Sequence, residues 1–219
     1  EFRAEGPLAE AAFFEVPRGA TLRRVSEQLE GAGVISSALL FRLGADYANM
    51  SGQLRFGNYE IPAGASMEDV LAIVTTGGPS TFRYTATYVL RLDGSGELRL
   101  RERVPGSGEI VALADFAYED GLPEVYSSLI ADGSPIAYRV SVPEGLTSWQ
   151  IVEGLRAADF LSGEIAEVPP EGALAPDTFE VRRGQDRQGI VDNMVAAQEA
   201  ILAAAWENRQ DGLPLASAE

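Results

Sequence analysis

Apolar positions recur along this chain in four blocks of one design. Val16-Pro17-Arg18-Gly19-Ala20-Thr21 precedes Val25 and Leu29, and Ile61-Pro62-Ala63-Gly64-Ala65-Ser66 precedes Val70 and Val74. Val142-Pro143-Glu144-Gly145-Leu146-Thr147 precedes Ile151 and Leu155, and Val181-Arg182-Arg183-Gly184-Gln185-Asp186 precedes Ile190 and Met194. In each block a β-branched residue ends a short strand. Pro, present in three of the four, cannot extend a ladder, and Gly permits the sharp turn that follows. Thr21, Ser66, Thr147 and Asp186 then stand where a side-chain oxygen caps a helix, and apolar residues four apart give that helix one buried face. Thr147 with Gln150 also fits a capping box, with Leu146 placed to staple onto Ile151. The pattern predicts four strand-turn-helix units with the eight apolar helix residues named above buried.

The stretches between the blocks complete an α+β chain. Residues 1–12, Ala-rich with Gly6-Pro7, read as a linker, and 13–78 as a compact module. Within it Phe13–Val16 is a strand and the Thr21 helix runs to about Glu30. A second helix follows from Ser37 to Tyr47 with Leu39, Leu40 and Leu43 on its face, and Leu54–Ile61 feeds the helix closed by Gly77-Gly78. Residues 79–137 read as a β-rich insertion on the surface. Phe82, Tyr84, Thr87 and Val89 extend toward an Asp93-Gly94-Ser95-Gly96 turn, and Leu98 and Leu100 alternate with Arg99 and Arg101 on the return strand of a hairpin. From 138 to 219 the first pattern resumes: Val140–Val142 as strand, the Thr147 helix, Glu171–Val181 leading into the fourth unit, then a long helix from Asp186 through Met194, Ile201 and Trp206. Phe179-Glu180-Val181 with Gly184 repeats Tyr59-Glu60-Ile61 with Gly64, so Tyr59 and Phe179 are expected in the core.

Composition excludes more chemistry than it proposes. A net charge of −16 over 219 residues argues against a nucleic-acid partner. All 17 basic residues are Arg, and the chain has no Lys, His or Cys. Thiol nucleophiles, His-based triads, Schiff bases and Walker lysines are therefore out of reach, which leaves carboxylate chemistry or none. No cofactor and no metal site is expected: Asp115, Glu119 and Asp120 lack calcium-loop spacing and read as a solvated face. Gly94-x-Gly96 and Gly106-x-Gly108 read as turn glycines instead of nucleotide loops. No apolar run is long enough to span a bilayer, and the start at Glu1 without Met suggests a piece of a longer protein.

Several stretches resemble one family. The Pro-x-Gly-x-Thr turn, Gly33-Val34-Ile35, Gly57-Asn58-Tyr59-Glu60-Ile61-Pro62 and Thr76-Gly77-Gly78 are similar to the LysM-like region of the YceG-like (MltG) proteins. The same holds in the second half for Val142–Thr147, Glu171-Gly172 with Pro176-Asp177-Thr178, and Ala205-Trp206-Glu207-Asn208-Arg209 with Asp211-Gly212-Leu213-Pro214. The family consists of endolytic peptidoglycan transglycosylases. The resemblance implies a protein anchored by one N-terminal transmembrane helix, absent from this sequence, on the periplasmic side of the bacterial inner membrane. It implies glycan strands as substrate and cell-wall synthases as partners. It also implies cleavage between N-acetylmuramic acid and N-acetylglucosamine to leave 1,6-anhydro ends, with one glutamate as acid and then base and no cofactor.

Two departures follow from the same comparison. Residues 79–137 are an insertion relative to many relatives, and the family's catalytic glutamate falls beyond residue 219. Glu219 only mimics it, so no catalytic residue is assigned in this chain. Glu171, Asp177 and Thr178, in the best-matched motif, are the candidate substrate-binding residues, either as cleft lining or as a turn that caps backbone. Trp149 and Trp206, on helical patterns, read as core or domain-contact residues before sugar platforms. A non-catalytic peptidoglycan-binding or assembly module is the alternative to the enzyme. A pyridoxal-dependent lyase is excluded by the missing lysine.

Overall fold

The computed structural model describes residues 2–77 and 80–209. Glu1, Gly78, Pro79, the Asp211-Gly212-Leu213-Pro214 motif and Glu219 lie outside the described residues. The chain divides into two compact units. One runs to Tyr84 and adds Glu102–Val111; the other comprises Thr85–Arg101 and the chain from Ala112 onward.

The first unit is built on an antiparallel pair, β1 (Ala12–Val16) and β2 (Gly57–Ile61), with Ala12 opposite Ile61 and Val16 opposite Gly57. Helices α1 (Leu22–Gly31) and α2 (Ala38–Tyr47) connect the two strands, and α3 (Met67–Thr76) follows β2. Val25, Leu29, Val70 and Val74 are fully buried. Each such side chain contributes about 1.5–3 kcal/mol of transfer free energy. Helix α2 corrects its expected face. Ala38, Phe41 and Ala45 are buried, whereas Leu39 and Leu43 remain 59% and 56% exposed. The two alanines let the helix approach closely, which sets its rotation by fit instead of by counting leucines.

Residues 2–11 are not the free linker that their composition suggests. The Phe2 carbonyl accepts from the Glu68 amide at 3.2 Å, Gly6 N donates to Gly64 O at 3.0 Å, and Gly64 N donates to Leu8 O at 2.8 Å. Phe2 and Leu8 pack against the core of this unit, and a Cβ on Gly44 would run into the Phe2 ring.

The second unit is organised on a five-stranded sheet of order β5-β4-β3-β6-β7. Its strands are β3 (Tyr84–Leu90), β4 (Gly96–Arg103), β5 (Ile110–Phe116), β6 (Ile136–Ser141) and β7 (Thr178–Val181). A single 3-10 turn (Tyr118–Asp120) and α4 (Glu124–Ala131) precede β6. Helix α5 (Ser148–Ala157) follows β6, and α6 (Arg187–Glu207) follows β7. The β3–β4 hairpin is present as the alternation predicts, but its place corrects the expectation of a surface insertion. β3 lies beside β6, and Ala86, Tyr88, Leu90, Leu98 and Leu100 are at most 1% exposed within one core with Val140, Ile151 and Met194.

The four caps are all made. Thr21, Ser66, Thr147 and Asp186 each accept from the amide three residues on, at 3.3, 3.2, 3.2 and 3.1 Å. The four motif glycines, Gly19, Gly64, Gly145 and Gly184, all hold positive φ, at 71°, 67°, 90° and 77°. A side chain there would be strained, which fixes Gly at that point of every copy.

Candidate functional site

The candidate residues converge on the segment Val142–Trp149, which connects β6 to α5. Its strand end is held by Asp177, whose main-chain oxygen accepts from Val142 N at 2.9 Å, while its Oδ1 accepts from Thr178 N at 2.6 Å. Thr178 Oγ1 lies 3.3 Å from Ser141 Oγ. Its helix end is held by Glu171: the Oε2 atom accepts from Ser148 N at 3.0 Å, and Ser148 Oγ donates to Pro170 O at 2.9 Å. A carboxylate on a first-turn amide satisfies an orphan donor and complements the helix dipole. All three candidates are exposed; Glu171 and Asp177 bond the backbone of this connection, and Thr178 meets the Ser141 side chain just before it. The Glu171 and Asp177 side chains both accept from backbone amides, those of Ser148 and Thr178.

Sequence reasoning placed Trp149 in a core or contact; the structure leaves it 59% exposed on the first turn of α5. Trp206 is half-buried beneath Arg209, whose guanidinium stands 3.8 Å from the ring centroid. On the other flank of α5, Gln150 Nε2 donates to Leu92 O at 2.9 Å, tying the β3–β4 turn to the helix start. This cross-tie escaped the sequence because Leu92 and Gln150 belong to elements read as separate domains. Capping reasoning does identify Gln150, whose Oε1 accepts from Thr147 N at 2.8 Å.

Arg187 was also missed. Its Nε donates to Leu155 O at 2.8 Å, Nη1 to Gly163 O at 2.8 Å, and Nη2 to Ala158 O at 2.8 Å and Arg156 O at 3.3 Å. One guanidinium thereby meets two carbonyls in the last turn of α5, those of Leu155 and Arg156, and two just beyond it, those of Ala158 and Gly163.

The carboxyls with displaced pKa values all move down: Asp69 through hydrogen bonds from Ser66, Asp93 through those from Ser95, Glu97 through Arg91, and Asp115 through Arg101. A general acid near neutral pH needs the opposite displacement, by burial away from cations. The interior groups that do shift up are phenols. Burial pushes Tyr88 to about 12 and also raises Tyr126, which lies 3.2 Å from the Tyr138 hydroxyl. Among the described residues no group of three or more His, Cys, Asp or Glu side chains could hold a metal ion.

The first unit carries an apolar groove of about 730 Å³ lined by Phe2, Leu40, Leu43 and Tyr47, with the Arg3–Glu68 pair at 3.1 Å on its wall. Next to the β1–α1 turn, Phe56 is 57% exposed with the Arg18 guanidinium 4.2 Å from its ring centroid.

Residues 14–95 match the model of the YceG-like family. Two endolytic murein transglycosylases of Streptococcus pneumoniae, from strains D39 and R6, are each 25% identical to this chain over 188 residues. Those alignments cover 86% of this chain and 31% of each relative, so the chain spans about a third of their length. The crystal structure of a yceG-like protein from Listeria monocytogenes aligns with 91% of this chain and 57% of its own at 18% identity, with a TM-score of 0.34.

Proposed function

We propose that this chain, whose residues 14–95 match the YceG-like family model, is part of an endolytic murein transglycosylase acting on peptidoglycan glycan strands. The observation that carries this reading is the 188-residue match to proteins of that name, which runs through both units. The chemistry is cleavage between N-acetylmuramic acid and N-acetylglucosamine with closure of a 1,6-anhydro ring, and a carboxyl serves as acid and then as base. A chain without His, Lys or Cys suits that reaction, since carboxyls are the acid-base groups it retains near neutral pH. The complete protein would work outside the cytoplasm, held at the periplasmic face of the inner membrane and beside cell-wall synthases. Among the described residues no helix is long and apolar enough to cross a membrane. In this reading Glu171, Asp177 and Thr178 shape the cleft wall by fixing the Val142–Trp149 connection, and the catalytic glutamate belongs to sequence beyond Glu219.

The test is a digestion of intact sacculi with the 219-residue chain and with a form extended downstream, the soluble muropeptides being analysed by mass. Anhydro-ended products are expected from the extended form only. Anhydro products from the short chain would place the catalyst within it. Their absence from both would favour a second reading, a binding module without chemistry of its own. The exposed Phe56 ring beside the β1–α1 turn supports that second reading.

A further inference from the structure

We propose that Trp149 is a stacking platform for one N-acetylated sugar ring of a glycan strand, with the Glu171 carboxylate accepting hydrogen bonds from its hydroxyls. The choice of an N-acetylated sugar rests on the murein reading above. The platform itself rests on geometry. Trp149 follows Ser148, which is bonded to Pro170 and Glu171, and precedes Gln150, which is bonded to Leu92. Successive helical residues are rotated by about 100°, which puts Trp149 on the helix face between those of Ser148 and Gln150. The helix start beneath it is fixed by the Thr147–Gln150 capping box and the Glu171 contact. An indole on so constrained a backbone loses little freedom on binding.

The surroundings select the occupant. Among the described residues of the α5 start and the β3–β4 turn, the large exposed apolar side chains are Trp149 and Leu92, the latter 65% exposed. Two such side chains fall far short of the ~800 Å² per partner that a stable protein interface needs. A second copy is further disfavoured by a net charge of −16 on each. The exposed Glu171 carboxylate at the helix start offers acceptors only. Asp93 is taken by Ser95 N at 2.9 Å, and Arg91 is held by Glu97 at 2.8 Å. A ligand that fits must bring an apolar face for the indole and several donors for the oxygens, and it must carry no anionic charge on that face. A pyranose ring meets all three conditions.

In a Trp206→Phe background Trp149 is the sole tryptophan. Titration of that protein with chitotetraose should give a saturable change in indole fluorescence. By calorimetry on otherwise wild-type protein, Trp149→Ala should weaken binding by about tenfold or more. Glu171→Gln should weaken it by a smaller factor. Thermal melting identifies any variant whose loss comes from unfolding; Trp149→Phe, which keeps an aromatic face, should retain most of the affinity. A fluorescence response absent at millimolar sugar, binding untouched by Trp149→Ala, or preferential binding of tetramethylammonium would each overturn the proposal. Sacculus cleavage separates the two levels. If the extended form cuts murein while chitotetraose ignores Trp149, the platform is wrong and the function stands. If chitotetraose binds at Trp149 while murein is not cut, the reverse holds.

Discussion

The β1–β2 and β6–β7 pairs are the same object built twice and finished differently. When Val16 is matched to Val142 and Ile61 to Val181, Ala12 falls on Tyr138, and the registers coincide: Ala12 faces Ile61 and Tyr138 faces Val181. Each pair feeds a capped helix after each of its strands. In the first unit the connection between the strands contains α2, which buries Phe41. In the second, residues 158–177 form no helix, and β3 is added at the free edge of β6 instead. A two-strand, two-helix block exposes too much apolar surface to stand alone. One copy covers that surface with a helix supplied from inside the repeat, the other with strands supplied from outside it.

Removing the covering element should therefore have the largest effect in both places. Phe41→Ala in α2 and Leu98→Ala in β4 each empty a fully buried position. Each is expected to cost about 2–5 kcal/mol in urea unfolding. If Leu98→Ala cost less than 1 kcal/mol, the hairpin would be the peripheral insertion that its sequence first suggests.

The next largest effect lies where the helices end. Helix α1 closes on its own chain, with Ala32 N donating to Gln28 O and Val34 N donating to Leu29 O, both at 2.9 Å. Helix α5, with no second helix to follow, is closed by Arg187 reaching back from α6 to four carbonyls. Arg187→Ala should cost about 2–3 kcal/mol, the range for buried carbonyls losing charged donors. Arg187→Lys should recover little of it, because an ammonium cannot span the same fork. Full recovery by Lys in thermal melts would show that charge at the helix end matters and the fork does not.

These contrasts also mark what was legible in the sequence. The caps, the motif glycines and the eight buried helix positions follow from local chemistry: a cap needs an oxygen, a turn needs positive φ, and a face needs residues four apart. All of them appear in the structure as read. The role of residues 79–137 was not legible. The alternation in Tyr84–Leu90 specifies a half-buried strand but not which strand it lies beside. The rotation of α2 failed for a related reason, since Leu39 and Leu43 are apolar enough for a core that chose Ala38 and Ala45 on shape. At the site, Glu171 and Asp177 were found by motif, yet their work on the backbone of Val142–Trp149 depends on contacts across 23 residues or more for Glu171, and these no local pattern encodes.

Position 154 tests the comparison at a single atom. Gly154 in α5 corresponds to Gln28 in α1 and is buried, where a Cβ would run into the Leu90 side chain. Gln28 is exposed, because no strand covers α1 at that point. Gly154→Ala should therefore destabilise by about 1–3 kcal/mol through overpacking, despite the better helix propensity of Ala. Gln28→Ala should stay within about 0.5 kcal/mol. Equal effects at the two sites would erase the distinction between a covered and an uncovered repeat.

The smallest expected difference is a matter of pH. Both units contain a capping box, but in α3 the returning side chain is Asp69, and in α5 it is Gln150. Hydrogen bonds from the Ser66 hydroxyl and amide favour the Asp69 carboxylate, so its pKa falls below the ordinary 3.8. A depressed carboxyl contributes stability that is fully present above the unfolded-state pKa. That contribution is lost as pH drops through the lower folded-state value. The start of α3 should accordingly fray below the usual aspartate range, whereas the start of α5, its box closed by the Gln150 amide, should show no matching transition once Glu171→Gln has removed the carboxylate on Ser148 N. Amide chemical shifts of Ser66 and Thr147 followed from neutral to strongly acid pH read the two boxes separately in one sample. Asp69→Gln makes the first box resemble the second and should abolish the acid transition at Ser66. A transition that survives that substitution would trace the acid response to another carboxyl, and the two boxes would then differ in chemistry without differing in behaviour.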